Sequence, residues 1–360
     1  MNQGLKNIIP LLAIVIGALL VWQLKTIVGY VLISLVLALI GRPIMKLLQK
    51  PTIKDKKLPN GIRAAITLLV LFLFFSGVFS LFIPLVMEEA RILSSIDFEH
   101  VSEGLQEPIN DCQNWLQNNH LMNPENNLEE QLLNIFSFTQ VGTLFSSIFG
   151  LLGNSVIALF SILFITFFLL KEKHLANTVV FAFTPESKQG NINNILKNAK
   201  QLLSRYFIGI IIQITAITLI VSTGLTLLGI ENAILIGFLA GIINVIPYVG
   251  PIIGGIIGIL IGISTNLHLD FYTELLPLSG KIFLVFACMQ LIDNFVFQPL
   301  IFSNSVKAHP LEIFLVVLSA GTIWGITGMI VAIPFYTLFR VIAKEFLSEF
   351  KVIEQLTKNL

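Results

Sequence analysis

Hydrophobic and polar positions follow one another along this chain in long blocks, not at the short period of a half-buried helix or strand. Six blocks, 8–24, 27–40, 62–86, 148–170, 207–228 and 281–301, are apolar almost throughout. Each reads as a helix crossing a bilayer, which takes about 20 apolar residues. Two further blocks, 231–263 and 311–343, are as apolar but each is 33 residues long. A straight helix of that length would run roughly 50 Å, well past the ~30 Å hydrocarbon core, yet two complete spans need about 40 residues. The first is punctuated by Gly237, Gly241, Pro247, Gly250, Pro251 and four more glycines, the second by Gly321, Gly325, Gly328 and Pro334. A hairpin that enters the bilayer, breaks around 247–251 or 321–328, and turns back fits both. Non-helical backbone at that depth survives only where protein or a wet cavity satisfies its polar groups.

The pattern therefore predicts an all-α polytopic membrane protein with six complete spans, two Gly/Pro-broken re-entrant hairpins and a small external helical insert. Residues 1–86 would hold three spans, 87–147 the insert, and 148–360 a transport core containing both hairpins. Between the fourth and fifth spans, Thr184-Pro185-Glu186 reads as an N-cap followed by proline at the first helical position. Behind it, Ile192, Ile195, Leu196, Ala199, Leu202, Leu203 and Tyr206 share one face. That is a helix on the inner membrane surface or one packed between spans. Residues 264–280 read as an external loop.

Composition and charge orient this arrangement. Charged residues are 12% of the 360, about half the soluble norm, which argues against two soluble domains of the same length. Seven basic residues between Arg42 and Arg63, six between Lys171 and Arg205, and Arg340, Lys344, Lys351 and Lys358 mark cytoplasmic segments. Residues 87–142 carry one basic residue, Arg91, against ten acids that include Glu88 and Glu89, which places them outside. Both termini are expected in the cytoplasm. The first apolar block lacks a small-x-small cleavage pattern and is read as a retained span. Cys112 and Cys288 fall in a polar and an apolar segment, a poor basis for a disulfide. No ligand spacing calls for a metal or cofactor, and nothing points to nucleic acid.

Polar groups inside spans are costly and are functional hypotheses. Gln290, Asp293, Asn294 and Gln298 lie at 290–293, 290–294 and 294–298 spacings of three, four and four, along one helical face. Asp293 is the only acid well inside a complete span. Asn244 stands just before Pro247, where Gly250 and Pro251 complete the break and could leave carbonyls free. Together these residues could line a pathway for a cation, a proton or a hydroxylated solute. Structural glue between helices is the competing role. Gln213 is a weaker pathway candidate, and Glu231 and Glu312 suit helix-start capping. There is no HExxH, no GxSxG and no Walker A loop, so a secondary transporter is expected and not an enzyme or an ATP-driven pump. A non-transporting membrane assembly protein is the remaining class.

The stretch Gly237-Phe238-Leu239-Ala240-Gly241-Ile242-Ile243-Asn244-Val245-Ile246-Pro247-Tyr248-Val249-Gly250-Pro251 resembles the autoinducer-2 exporter family of bacterial membrane proteins. So do Gln290-x-x-Asp293-Asn294-x-x-x-Gln298-Pro299, His309-Pro310-Leu311 and Gly325-x-x-Gly328 with Pro334. The resemblance implies a secondary transporter of the bacterial cytoplasmic membrane, exporting the quorum-sensing signal autoinducer-2 or related small polar solutes, or a sodium(lithium)/proton antiporter. It further implies a homo-oligomer, a pentamer, in the lipid bilayer. It brings no set of binding residues, so the site assignments rest on the residues above.

Overall fold

The computed structural model describes residues 23–49, 58–95, 110–111, 113–114, 116–119, 155–172, 175–182, 184–266, 269–301, 306 and 308–346. The expected first span, the basic residues 50–57, most of the external insert and the C-terminal basic residues beyond 346 lie outside these. Among the described residues the regular structure is all helical. Four helices among the described residues are long and apolar enough to cross a membrane: Thr26–Leu47, Asn60–Glu89, Glu186–Leu227 and Phe271–Ile301. The exposed faces of these helices are Leu, Ile, Val and Phe, the surface of a multi-pass membrane protein.

The chain forms two compact units, Met1–Phe75 with Asn154–Lys200, and Ser76–Gly153 with Gln201–Leu360. In the first, α1 (Lys25–Leu47) packs on α3 (Ser155–Lys171). Ser34 Oγ donates to the Ile162 carbonyl, and Ala38, Met45, Ala64 and Leu170 form the core. Arg42 lies inside α1 and donates to the Lys200 carbonyl at 2.9 Å.

Several boundaries move. The third span is the front of α2 (Asn60–Ser95), which continues nine residues past the expected end at 86. Thr184 does not cap: its hydroxyl donates back to the Val180 carbonyl, and a short 3-10 turn at Glu186–Lys188 leads into α5 (Gln189–Leu227). The short α4 (Leu175–Ala182) precedes it. The amphipathic helix and the fifth span are thus one 39-residue helix, because nothing between Tyr206 and Phe207 breaks it. The loop expected at 264–280 is helical from Phe271 onward. Asp270 accepts from the Thr273 N–H as an N-cap, and Leu275 and Leu278 are drawn into the core.

Both broken hairpins are present. α6 (Ala233–Ile243) and α7 (Val249–Ser264) fold back on each other. At 11 and 16 residues they reach ~17 and ~24 Å, short of a full crossing. Gly237 and Gly241 lie against α5, where an added Cβ on Gly241 would stand 2.7 Å from the Ile214 carbonyl. That close approach is the small-xxx-small packing of membrane helices. The second hairpin, α9 (Pro310–Phe346), is two helices joined at Trp324 and Gly325, the latter at φ 59, ψ −147. Only glycine adopts that backbone readily. Its two arms are tied by the Tyr336 hydroxyl donating to Glu312 at 3.0 Å and by Ile313, Val317, Ala332 and Ile333. Glu312 therefore bridges the arms, beyond the capping role its position suggested.

Candidate functional site

The helix that carries the polar stripe is not regular. Between α8 (Leu276–Ile292) and Gln298–Ile301, residues Asp293–Phe297 form a π-turn. A π-turn adds a residue to the helical repeat and recurs at functional sites. Here it splits the expected single face. Asp293 and Gln298, five apart, turn inward and are 1% and 8% exposed, while Asn294 is exposed. The Asp293 carboxylate is held on both sides. Gln213 of α5 donates to Oδ1 at 2.6 Å and Gln298 to Oδ2 at 2.8 Å. Gln298 also donates to Asn294 Oδ1 at 3.1 Å, and Gln290 donates to the same oxygen at 2.9 Å. A carboxylate can only accept, so it fixes which end of each glutamine amide faces it.

In front of these amides is a cavity of about 920 Å³, at the upper end of small-molecule sites. Tyr248, Pro251, Ile252, Gly255, Ile256 and Ile259 of the first hairpin form one wall. Phe283, Phe286, Ala287, Gln290, Asn294, Gln298 and Pro299 form the other, and Ala308 and Pro310 close an edge. Of the residues singled out from the sequence, Pro251, Gln290, Asn294 and Gln298 line it. Asp293 sits behind Gln298. Asn244, Pro247 and Gly250 build the break without lining the cavity. Asn244 is 4% exposed and its Oδ1 is buried without a partner. Gly250 packs against the end of α6, where a Cβ would meet Asn244 Cα at 2.9 Å.

The break is a tight turn. Val249 N–H donates to the Pro247 carbonyl at 2.8 Å across Tyr248, whose backbone is at φ 67, ψ −45. This is a γ-turn with a non-glycine centre, a costly conformation that the surroundings must impose. The Tyr248 ring packs edge-on to Phe314 at 5.4 Å, and its hydroxyl donates to the Pro310 carbonyl at 3.4 Å. The break thus meets the start of the second hairpin, with Ile246 packed in the same cluster as Ile313 and Val317.

Comparison with known proteins is decisive at this point, because the sequence profile of AI-2E family transporters matches residues 10–348. The chain belongs to the AI-2E transporter family. "Putative transport protein YueF" of Bacillus subtilis (strain 168) is 24% identical over 322 residues, 86% of this chain and 81% of its own length. "Putative permease PerM" of Escherichia coli (strain K12) is 29% identical over 199 residues, 54% of each chain. "Putative transport protein YrrI" of B. subtilis is 26% identical over 184 residues, about half of each. The family is one of membrane transporters and not of enzymes.

Two residues of this AI-2E transporter were undervalued by sequence reasoning. Gln213, a minor candidate, is a direct partner of Asp293. Its signal was its place four, eight and twelve residues before the buried Ile217, Val221 and Leu225. Glu89, assigned to the solvated insert, is 2% exposed. It accepts from Ser264 Oγ at 2.9 Å and Asn232 Nδ2 at 3.0 Å, clasping both ends of the first hairpin. Phe82 and Val86 are buried on the same α2 face, seven and three residues earlier, the spacing that could have exposed it.

Proposed function

We propose that this AI-2E transporter carries a small uncharged polar solute, autoinducer-2 or a hydroxylated relative, through the cavity between the first hairpin and the Asp293 helix. One observation carries the reading. Among the described residues, the polar groups lining the cavity are the amides of Gln290, Asn294 and Gln298 and the Tyr248 phenol, with no charged side chain among them. Amides and a phenol supply donors and acceptors to hydroxyl and carbonyl groups. A dehydrated sodium or lithium ion calls instead for a cage of oxygens. The one acid behind the wall has both oxygens already taken by amide N–H groups, which weighs against sodium/proton antiport.

In this reading the two hairpins are re-entrant and, as paired interrupted segments, flank the site. The protein sits in a bacterial cytoplasmic membrane with both termini inside, as a homo-oligomer whose subunit number native mass spectrometry would count. The test is flux from proteoliposomes under imposed pH and sodium gradients. Saturable movement of a hydroxylated furanone-type signal, with no gradient-driven cation movement, is the expected result. Sodium-dependent proton movement would establish the antiporter instead, and absence of any flux would leave an assembly role.

A further inference from the structure

The amides at the polar end of the cavity form a hydrogen-bonded cluster anchored on Asp293. Its Oδ2 can only accept, so Gln298 must present Nε2 to it. The second hydrogen of that nitrogen goes to Asn294 Oδ1. Gln290 Nε2 fills the other lone pair of the same oxygen, and Gln290's own Oε1 is buried. Each of these bonds is donated by a glutamine Nε2 and accepted by Asp293 or Asn294. Among these three amides, what remains for a ligand is the Asn294 Nδ2 donor, the second Gln290 N–H and the Gln298 Oε1 acceptor, all on residues that line the cavity. Apart from the Tyr248 phenol, whose hydrogen goes to the Pro310 carbonyl, the facing wall is mainly Ile252, Ile256, Ile259, Phe283 and Phe286, which offer no hydrogen bond and reward apolar area.

From this geometry we infer that the cavity takes an uncharged molecule with an apolar body and, on one edge, an acceptor beside a donor. Carboxamides, lactams and α-hydroxy ketones have that edge. We infer also that Asp293 is the positioning residue that sets the order of donor and acceptor in the wall. The inference concerns the same cavity as the proposed transport and deepens it: Asp293 acts on the ligand through Gln298 and Asn294 and does not touch it.

Three probes of nearly equal shape separate the possibilities. Benzamide has an acceptor and a donor on one edge, benzoate only acceptors, benzamidinium only donors. Saturation-transfer NMR on the detergent-solubilised full chain would measure each dissociation constant. Benzamide should bind at least about fivefold tighter than either charged probe, the worth of one hydrogen bond made or refused. Asn294→Asp turns the free donor into an acceptor on an exposed residue, and should move the preference to benzamidinium. Asp293→Asn can accept from Gln298 or donate to it, so the preference for benzamide over the other two should shrink toward unity. Absence of saturable binding by any probe would overturn the inference, as would an unchanged order in Asn294→Asp. Binding is read without transport. A protein that shows this order and moves no solute sinks the transport reading alone, and one that transports but shows no order sinks this inference alone.

Discussion

Replacing Asp293 with alanine tests whether the buried amide–carboxylate cluster holds the site together. The substitution removes the acceptor of two N–H groups, on Gln213 and Gln298, that are 9% and 8% exposed. A buried donor left unpaired costs about 1–3 kcal/mol, so two set a ceiling near 6 kcal/mol. Interhelical hydrogen bonds inside membrane proteins have averaged only ~0.6 kcal/mol, which sets a floor near 1 kcal/mol. Gln298 keeps Asn294 as a partner and recovers part of its loss, so the expected destabilisation is about 2–4 kcal/mol. Equilibrium unfolding in mixed micelles would measure it, beside Leu291→Ala on the exposed side of the same helix, expected within ~0.5 kcal/mol of wild type. Gln213→Leu combined with Asp293→Leu should cost less than the sum of the single changes by ~1 kcal/mol or more, since the double change leaves neither member of the Gln213–Asp293 pair behind. An Asp293→Ala protein as stable as the Leu291→Ala control, with no coupling in that cycle, would refute the cluster.

Other consequences are independent of that cluster. Gly77 and Gly325 both have open space where a Cβ would go, but only Gly325 has positive φ. Gly77→Ala should therefore be neutral or stabilise by up to ~1 kcal/mol, whereas Gly325→Ala should destabilise by about 1–3 kcal/mol in the same unfolding assay. Glu89→Ala frees Asn232 and Ser264, so amide hydrogen exchange at both ends of the first hairpin should accelerate while α8 is unaffected. The Asp270 carboxyl is held below the usual Asp range by the Thr273 N–H and hydroxyl. Its cap should be fully present above the ordinary Asp range and be lost as pH falls through the lowered value, read as protection of the Thr273 amide. Loss of that protection at or above the ordinary value would contradict the cap.

The architecture was most legible where length and composition conflict. The 33-residue blocks could be neither one span nor two, and glycine and proline marked where each would fold back. The structure breaks them at 244–248 and 324–325, inside or next to the expected intervals. Boundaries that depend on what a segment packs against were harder. The loop expected at 264–280 has polar Ser, Thr and Asp along it, yet Leu275 and Leu278 reach the core and make it helix. The polar stripe was legible as residues but not as geometry. The 290–293, 290–294 and 294–298 spacings of three, four and four place these residues on one face of an ideal helix, and the π-turn at Asp293–Phe297 turns Asp293 behind the wall while Gln290, Asn294 and Gln298 line the cavity. Nothing in local propensity announces that turn. Its first residue, Asp293, meets a partner some 80 positions earlier, Gln213. Glu89 was misplaced for the related reason that charge in a polar stretch reads as solvated until its helical face is known.

The central claim, that solute passes through this cavity, is tested most directly by obstructing it. Ala287 lines the cavity opposite the first hairpin. Cysteine placed there, with Cys112 and the exposed free Cys288 replaced by alanine, gives a single attachment point for a bulky thiol reagent. Flux of the uncharged signal from proteoliposomes would be compared before and after labelling, with the extent of labelling counted by mass spectrometry. The account predicts that flux falls in proportion to the labelled fraction, and that saturating solute slows the labelling. Full flux from protein labelled to completion at Ala287→Cys would contradict it.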